Sequence, residues 1–250
     1  MNNSRCAIAP ARAVVRACLA AILLTAPLTG HCALTLNNTR IVFDSDKRST
    51  SVVVKNPSTS HYAVQAWINT EADDETTPVP FIITPPLFSI VPTSEQLVQI
   101  NSLPNTLPQD RESLFFFNMQ EIPNVSEQPG NQLNIALRTR IKLFYRPAQL
   151  KGTPIEQLQA LRFSVVQKQG EKWLRIHNPS PFYITFIGLA ASTQGQAYKL
   201  DAPPMVAPLS EHDHALAGAP LSADSTVRFS VINDFGGHTE PLTQPIATTH

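Results

Sequence analysis

His212-Asp213-His214 is the stretch best suited to hold a metal. Two imidazoles two residues apart reach the same side of a strand, with Asp213 turned away. A closed site needs three or four ligands in the right geometry. The other histidines past residue 32, namely His61, His177, His238 and His250, have no spacing that gathers them. No metal is therefore expected, and the plainer reading of the tripeptide is an exposed polar loop. Asp73, Asp74 and Glu75 fall in EADDETTPVP (71–80), an acidic, proline-bearing, apolar-poor stretch. That composition reads as a solvated loop rather than a carboxylate pair tuned for acid–base work. No G-x-S-x-G occurs, and no Walker or Rossmann glycine pattern. All three cysteines, Cys6, Cys18 and Cys32, lie at the N-terminal end, so no thiol nucleophile stands beyond them. Neither an enzymatic activity nor a cofactor is expected.

A different kind of chemistry is written in NQLNIALRTRIKLFYRP (131–147). Alternate residues Leu133, Ile135, Leu137, Thr139, Ile141, Leu143 and Tyr145 form a largely apolar face. The intervening positions carry Arg138, Arg140, Lys142 and Arg146. Period-two alternation predicts a β-strand with one greasy and one cationic side. The run is more than twice the usual five or six residues. Its second half, Ile141 to Tyr145, reads as core. The extra length must protrude, lie at an edge or meet something else. An apolar edge of that kind is an aggregation hazard unless a partner covers it, and strand addition is one way to cover it. Nucleic acid is a poor match, because the positive charge is local.

The whole sequence has 250 residues, with nineteen basic and nineteen acidic side chains. Its first part reads as a secretory signal peptide, 1–32. Arg5, Arg12 and Arg16 precede an apolar run from Ala17 to Ala26, which Pro27 and Gly30 break before small residues follow. That core is too short for a membrane helix, which needs roughly twenty residues. Cleavage is expected between Cys32 and Ala33. A lipoprotein reading of Cys32 is the alternative, and bulky His31 argues against it. Removal of the leader leaves 218 residues, no cysteine and a net charge of −3. An exported chain without disulfides must be held by its cores, and two domains of about a hundred residues can bury enough surface for that.

Proline is frequent at 22 and glycine scarce at 9, which leaves few windows for a helix. Short alternating runs fill the gaps. Strands are predicted in 33–44, switching partners midway, and in 49–56, 61–70, 81–92 (interrupted by Pro85-Pro86), 95–103, 111–123 and 131–147. Seven strands in about 110 residues is the pattern of an immunoglobulin-type sandwich. After Pro147, residues 148–160 read as a polar linker. Strand patterns resume in LRFSVVQKQ, EKWLRIHN, FYITFIGLAAS and STVRFSVIND. Both halves use a strand–Asn-Pro–strand device, at Asn56-Pro57 and Asn178-Pro179, as two sandwiches of similar build would. The expected layout is a domain at 33–147, a linker at 148–160 and a second β-sandwich at 161–250.

These stretches, in this order, resemble one family. LTLNNTRIVFD, SVVVKNPS, FIITPPLFSI, ESLFFFNMQEIP, NIALRTRIKLFYRP, LRIHNPSPFYITF and VINDFGG are similar to the periplasmic pilus chaperones, the PapD-like family of Gram-negative bacteria. The short NVSEQPG segment before the long strand resembles the family's short-loop branch. The resemblance implies two immunoglobulin-like β-sandwich domains in an L-shaped, boomerang arrangement. It implies a chaperone that lends its seventh strand to a pilus subunit for delivery to an outer-membrane usher. By motif, Arg40 and Lys142 match the cations that bind the subunit's C-terminal carboxylate in the cleft. Leu133, Ile135 and Leu137 match the residues that fill the groove of the incomplete subunit. Glu112, Arg146 and Asp234 match an ion network between the domains. The implied partners are pilin subunits and the usher, with no nucleic acid and no membrane insertion, and a second copy through the exposed edge is the further partner expected of the free protein. Arg138 and Arg140 depart from the pattern and are expected to add charge near the anchor, tuning subunit choice. The alternation alone leaves an adhesion or receptor module open.

Overall fold

The computed structural model describes residues 34–74, 76–122, 135–168, 170–193, 195–201, 204–216, 221 and 225–248. The predicted leader, the short loop at 124–130 and Leu133 lie outside them. The first half contains β1 (Thr35–Leu36), β2 (Arg40–Asp44), β3 (Ser49–Lys55), β4 (Tyr62–Asn69), β5 (Phe81–Thr84), β6 (Leu87–Ile90), β7 (Glu95–Ser102), β8 (Ser113–Ile122) and β9 (Arg138–Arg146). They form a four-stranded sheet, β1-β3-β7-β5, and a five-stranded sheet, β2-β9-β8-β4-β6.

Two of the predicted strands divide between the sheets. In 33–44, β1 joins β3 while β2 joins β9. In 81–92, β5 pairs with β7 and β6 with β4, and the break falls at Pro85-Pro86, where the Thr84–Pro85 bond is cis. Proline cannot donate to a ladder, so a proline pair is a natural place to change partners. The two sheets meet through aromatic rings. Phe81 of the smaller sheet packs edge-on against Phe43 at 5.5 Å and Phe115 at 5.1 Å, both from the larger sheet. The three consecutive phenylalanines follow the pleat. Phe115 and Phe117 are buried inward, whereas Phe116 faces out and is only half-buried.

The second half holds β10 (Arg162–Lys168), β11 (Glu171–Asn178), β12 (Ile184–Thr193), β13 (Gln196–Lys199), β14 (Met205–Val206), β15 (Ser210–Ala215), β16 (Thr226–Val231) and β17 (Leu242–Thr248). Here the ladder is continuous, in the order β13-β12-β16-β17-β10-β11-β15. β17 joins its two parts, antiparallel to β16 and parallel to β10. The ladder encloses a separate core that includes Phe163, Leu174, Ile176, Phe186, Val227 and Phe229. Leu158, inside the stretch that reads as a linker, is buried in this core on a single 3-10 turn.

The repeated Asn-Pro device has one structural role in both halves. The Asn56 side-chain nitrogen donates to the carbonyls of Ser60 at 2.7 Å, Ile90 at 3.3 Å and Val91 at 3.0 Å. Its oxygen accepts from the Ser58 backbone N–H and hydroxyl. Asn178 donates likewise to Phe182, Val206 and Ala207, and accepts from both donors of Ser180. Both asparagines are buried. Each bonds carbonyls at the strand ends and in the turns beside them, and these bonds are why a buried amide is tolerable there. Asn178→Ala would orphan several buried groups at once, and should lower unfolding free energy by about 2 kcal/mol or more. Denaturant unfolding tests this, and a loss under about 0.5 kcal/mol would contradict the role assigned to the side chain.

Candidate functional site

β2 and β9 run parallel, and their pairing starts with Arg40 opposite Lys142. On its other side β9 pairs with β8 along its length, Ser113–Gln120 against Arg138–Tyr145. Upstream of Lys142, over Arg138 to Ile141, no strand among the described residues takes the edge that β2 occupies farther on. Among the described residues the main-chain donors and acceptors on that edge have no backbone partner. Of the run 131–147 predicted from alternation, the described residues begin at Ile135 and the strand covers Arg138–Arg146. Ile135 and Leu137 precede it, although the Glu121 N–H still bonds to the Leu137 carbonyl at 2.9 Å. They are 62% and 46% exposed, so neither belongs to a core. Farther along the same alternation, Leu143 and Tyr145 are buried in the first core and Ile141 packs against it.

The open edge ends at two cations. Arg40 is buried, stacks on the Phe144 ring at 5.7 Å and donates through Nη1 to the Ile232 carbonyl at 3.2 Å. Its Nε is buried without a partner. Lys142 is partly buried and makes no hydrogen bond or ion pair among the described residues. Burial, and then the neighbouring charge of Arg40, hold the Lys142 pKa below the ordinary lysine value. Burial also lowers Arg40, which nevertheless stays charged at any physiological pH. Glu71 acts on Lys142, and Asp234 and Glu112 act on Arg40, through space only. With no carboxylate bonded to either among the described residues, the two like charges form a site that gains by taking an anion.

Beside this pair lies a satisfied network. Arg146 donates through Nε to Glu112 at 2.7 Å, and through Nη1 and Nη2 to the two carboxylate oxygens of Asp234 at 2.8 and 2.9 Å. The other oxygen of Glu112 accepts the Tyr183 backbone N–H at 2.8 Å. Glu112 is 3% exposed. Burial pushes its carboxyl upward against the pull of Arg146. Burial would lower Arg146, but the hydrogen bonds and charges of Asp234 and Glu112 outweigh it and raise its pKa. The three residues expected to form an ion network from the motifs thus do meet. Asp234 is delivered by a tight turn. The Asn233 oxygen accepts from the N–H groups of Phe235 and Gly237. Gly236 sits at φ +84°, where a Cβ would come within 2.2 Å of the Thr39 hydroxyl. Only glycine fits, and the close approach brings Ile232 and Asp234 onto β2 and β9.

Several participants carried no sequence signal. The Ile232 carbonyl and the Tyr183 N–H are backbone groups, and Phe144, on the cationic face, packs on Tyr183 at 5.5 Å. The expectation for Arg138 and Arg140 needs correction. They do not add loose charge beside Lys142. Asp73 receives Arg138 at 2.5 and 3.2 Å and lies 3.6 Å from Arg140, because the loop after β4 folds back over β9. Those bonds, with one from Asn69, lower the Asp73 pKa. The loop reading of His212-Asp213-His214 also yields, since these residues lie in β15. Asp213 bonds to Arg175 at 2.8 and 3.0 Å and to Lys168, and its pKa falls well below the carboxylate range. Among the described residues no three of His, Cys, Asp or Glu are placed to share a metal.

Residues 33–151 match the family described as "Pili and flagellar-assembly chaperone, PapD N-terminal domain". Residues 156–243 match "Pili assembly chaperone PapD, C-terminal domain". The chain belongs to the PapD-like family of pilus-assembly chaperones. It is 38% identical to the probable fimbrial chaperone YadV of Escherichia coli K12 over 217 residues, covering 83% of this chain and 87% of that one. It is likewise 38% identical to the chaperone protein PapD of Escherichia coli over 222 residues, covering 88% and 89%. The crystal structure of the YadV chaperone superposes with a TM-score of 0.74 at 34% identity, over 86% of this chain and all of that one. The chaperone of a Salmonella enterica SafA pilin–SafB chaperone complex gives 0.73 at 25% identity, over 87% and 98%. Family membership makes this a fimbrial chaperone with two immunoglobulin-like domains, as the motif resemblance implied. Among the described residues no helix is long and apolar enough to cross a membrane.

In this pilus chaperone the network and the cation pair should respond oppositely to mutation. Glu112→Ala leaves Arg146 short of a partner and the Tyr183 N–H unmet, and should cost roughly 3–5 kcal/mol in denaturant unfolding. Lys142→Met removes a partly buried, unpaired charge and should stabilise the free protein by on the order of 1 kcal/mol. A destabilised Lys142→Met protein would show that Lys142 has a structural counter-charge.

Proposed function

We propose that this chaperone acts in the periplasm, holding a nascent pilin by adding its β9 edge to the subunit and delivering it to an outer-membrane usher. In this reading residues 1–32 are the export leader, 33–147 and 161–250 the two domains, and 148–160 the connection between them. The observation that carries it is the open edge of β9 ending at the Arg40–Lys142 pair. A peptide laid along that edge with its C-terminus at Lys142 runs parallel to β9, end to end with β2. Its terminal carboxylate meets two cations that lack one, and a charge-assisted pair in a partly buried place is stronger than on open surface. Leu133, Ile135 and Leu137 then fill the groove of the incomplete subunit. The anchor sets the register, since a one-residue slip would turn the wrong face inward. Apolar burial and main-chain pairing supply the energy, and no nucleotide, metal or other cofactor is needed. The chaperone is thus not an enzyme. In the free protein the same edge is open to a second copy.

Co-purification with a co-expressed pilin tests the anchor. Arg40→Ala and Lys142→Ala should each reduce capture by roughly tenfold or more. Ile135→Asp should abolish subunit stabilisation while leaving the chaperone folded, because Ile135 is exposed. Carboxylate binding raises the pKa of Lys142, so its contribution to capture is full below the lowered free-state value and is lost as pH climbs from there through the higher bound-state value. Undiminished capture by both alanine variants would sink the assignment.

A further inference from the structure

The loop between β4 and β5 is bound to β9 in a way that strand addition alone does not require. Asp73 lies in the left-handed region at φ +58°, which is uncommon for a residue other than glycine. It accepts two bonds from Arg138 and one from the Asn69 amide at 2.7 Å. Arg138 also donates to the Asn118 side chain at 3.1 and 2.6 Å and stacks on Trp67 at 4.9 Å. Arg140 donates to the Thr70 carbonyl at 2.8 Å and lies 3.7 Å from the centre of the Phe116 ring. Both guanidinium groups are therefore held by the sheet face and by the loop. Lys142, the next residue on the same face, makes no hydrogen bond or ion pair among the described residues, and Glu71 of the same loop acts on it only through space.

Arg138, Arg140 and Lys142 are spaced by two residues, roughly 6.6 Å apart along the strand. That spacing creates a hazard for any peptide anchored by its carboxylate. A one-residue slip is rejected because it reverses the faces, but a two-residue slip keeps every apolar side chain on the correct side. It would place the carboxylate beside Arg140 instead of Lys142. Nothing in the alternation opposes that error, so the charges must. We propose that Asp73 is a register-determining residue: by occupying Arg138 and Arg140 it leaves the Arg40–Lys142 pair as the place where the carboxylate of an added strand is held. This rests on the carboxylate-anchor reading above. Asp73 acts through the arginines and touches no subunit group, so it is a positioning residue.

The probe is a synthetic peptide of alternating valine and threonine with a free C-terminal carboxylate, and an amidated twin. A chain beginning at Ala33 has no cysteine, so Thr139→Cys introduces a unique thiol. A set of peptides, each with one cysteine at a different distance from its end, then reports register by disulfide trapping. The wild-type background should trap one peptide position and prefer the free carboxylate to the amide. Asp73→Asn, which keeps the Asn69 and loop geometry but removes the charge, should add a second product displaced by two residues. Asp73→Asn with Arg140→Gln should restore the single product, which a merely structural role for Asp73 does not predict. Thermal melts of each variant show that the fold is kept. If the wild-type background binds both peptides alike, the anchor itself fails and this inference with it. If it discriminates between them and Asp73→Asn still traps one position, only the role of Asp73 is overturned.

Discussion

β2 pairs with β9 only from Arg40 and Lys142 onward, and this limit on one parallel ladder sets the terms for the rest of the junction. Had β2 begun four residues earlier along β9, the edge from Arg138 to Ile141 would be filled and no partner strand could enter. Because it begins where it does, the ladder ends in open main-chain groups and two cations together. The cation pair is costly in isolation, since burial and mutual repulsion both oppose it. The protein retains it beside a network in which every charge is matched, Glu112–Arg146–Asp234. One cluster fixes the geometry of the junction, and the adjacent one is left unsatisfied.

The contrast between the two clusters follows from what surrounds each cation. Arg146 is met by carboxylates from Glu112, just before β8, and from the turn after β16, so each of its three nitrogens donates to a carboxylate. Among the described residues Arg40 donates to one carbonyl and stacks on Phe144, and Lys142 has no bonded partner. The farther cations of β9, Arg138 and Arg140, are claimed by Asp73 and by aromatic faces. Along one strand face the positive charges thus grade from bound to unbound toward the junction. A carboxylate entering this surface finds its strongest attraction at the unbound end.

Alternation and punctuation carried most of the fold into plain view. The two-residue period of 49–56, 61–70 and 95–103 became strands within a residue or two of the predicted bounds. The proline pair at 85–86 marked a change of sheet. The Asn-Pro repeat marked two buried asparagines with matching bonds. The exceptions have physical causes. Ile135 and Leu137 continue the alternation, yet among the described residues the strand begins at Arg138, where pairing with Gln120 of β8 begins. His212-Asp213-His214 is polar enough for a loop, yet it pairs along β11 because Asp213 finds Arg175 across the ladder.

By itself the sequence determined the all-β class and the two-part layout, which are written in local periodicity and punctuation, while the positions Arg40, Glu112, Lys142, Arg146 and Asp234 came from its resemblance to a family. Only the tertiary structure decided which charges neutralise one another. Arg138 meets Asp73 across 65 positions, Arg146 meets Asp234 across 88, and Arg40 meets the Ile232 carbonyl across 192. A period-two pattern says which face a side chain takes, but not what lies opposite that face. Strand register and loop closure settle the second question, and they decided that Lys142, alone among the cations on that face of β9, has no bonded partner among the described residues.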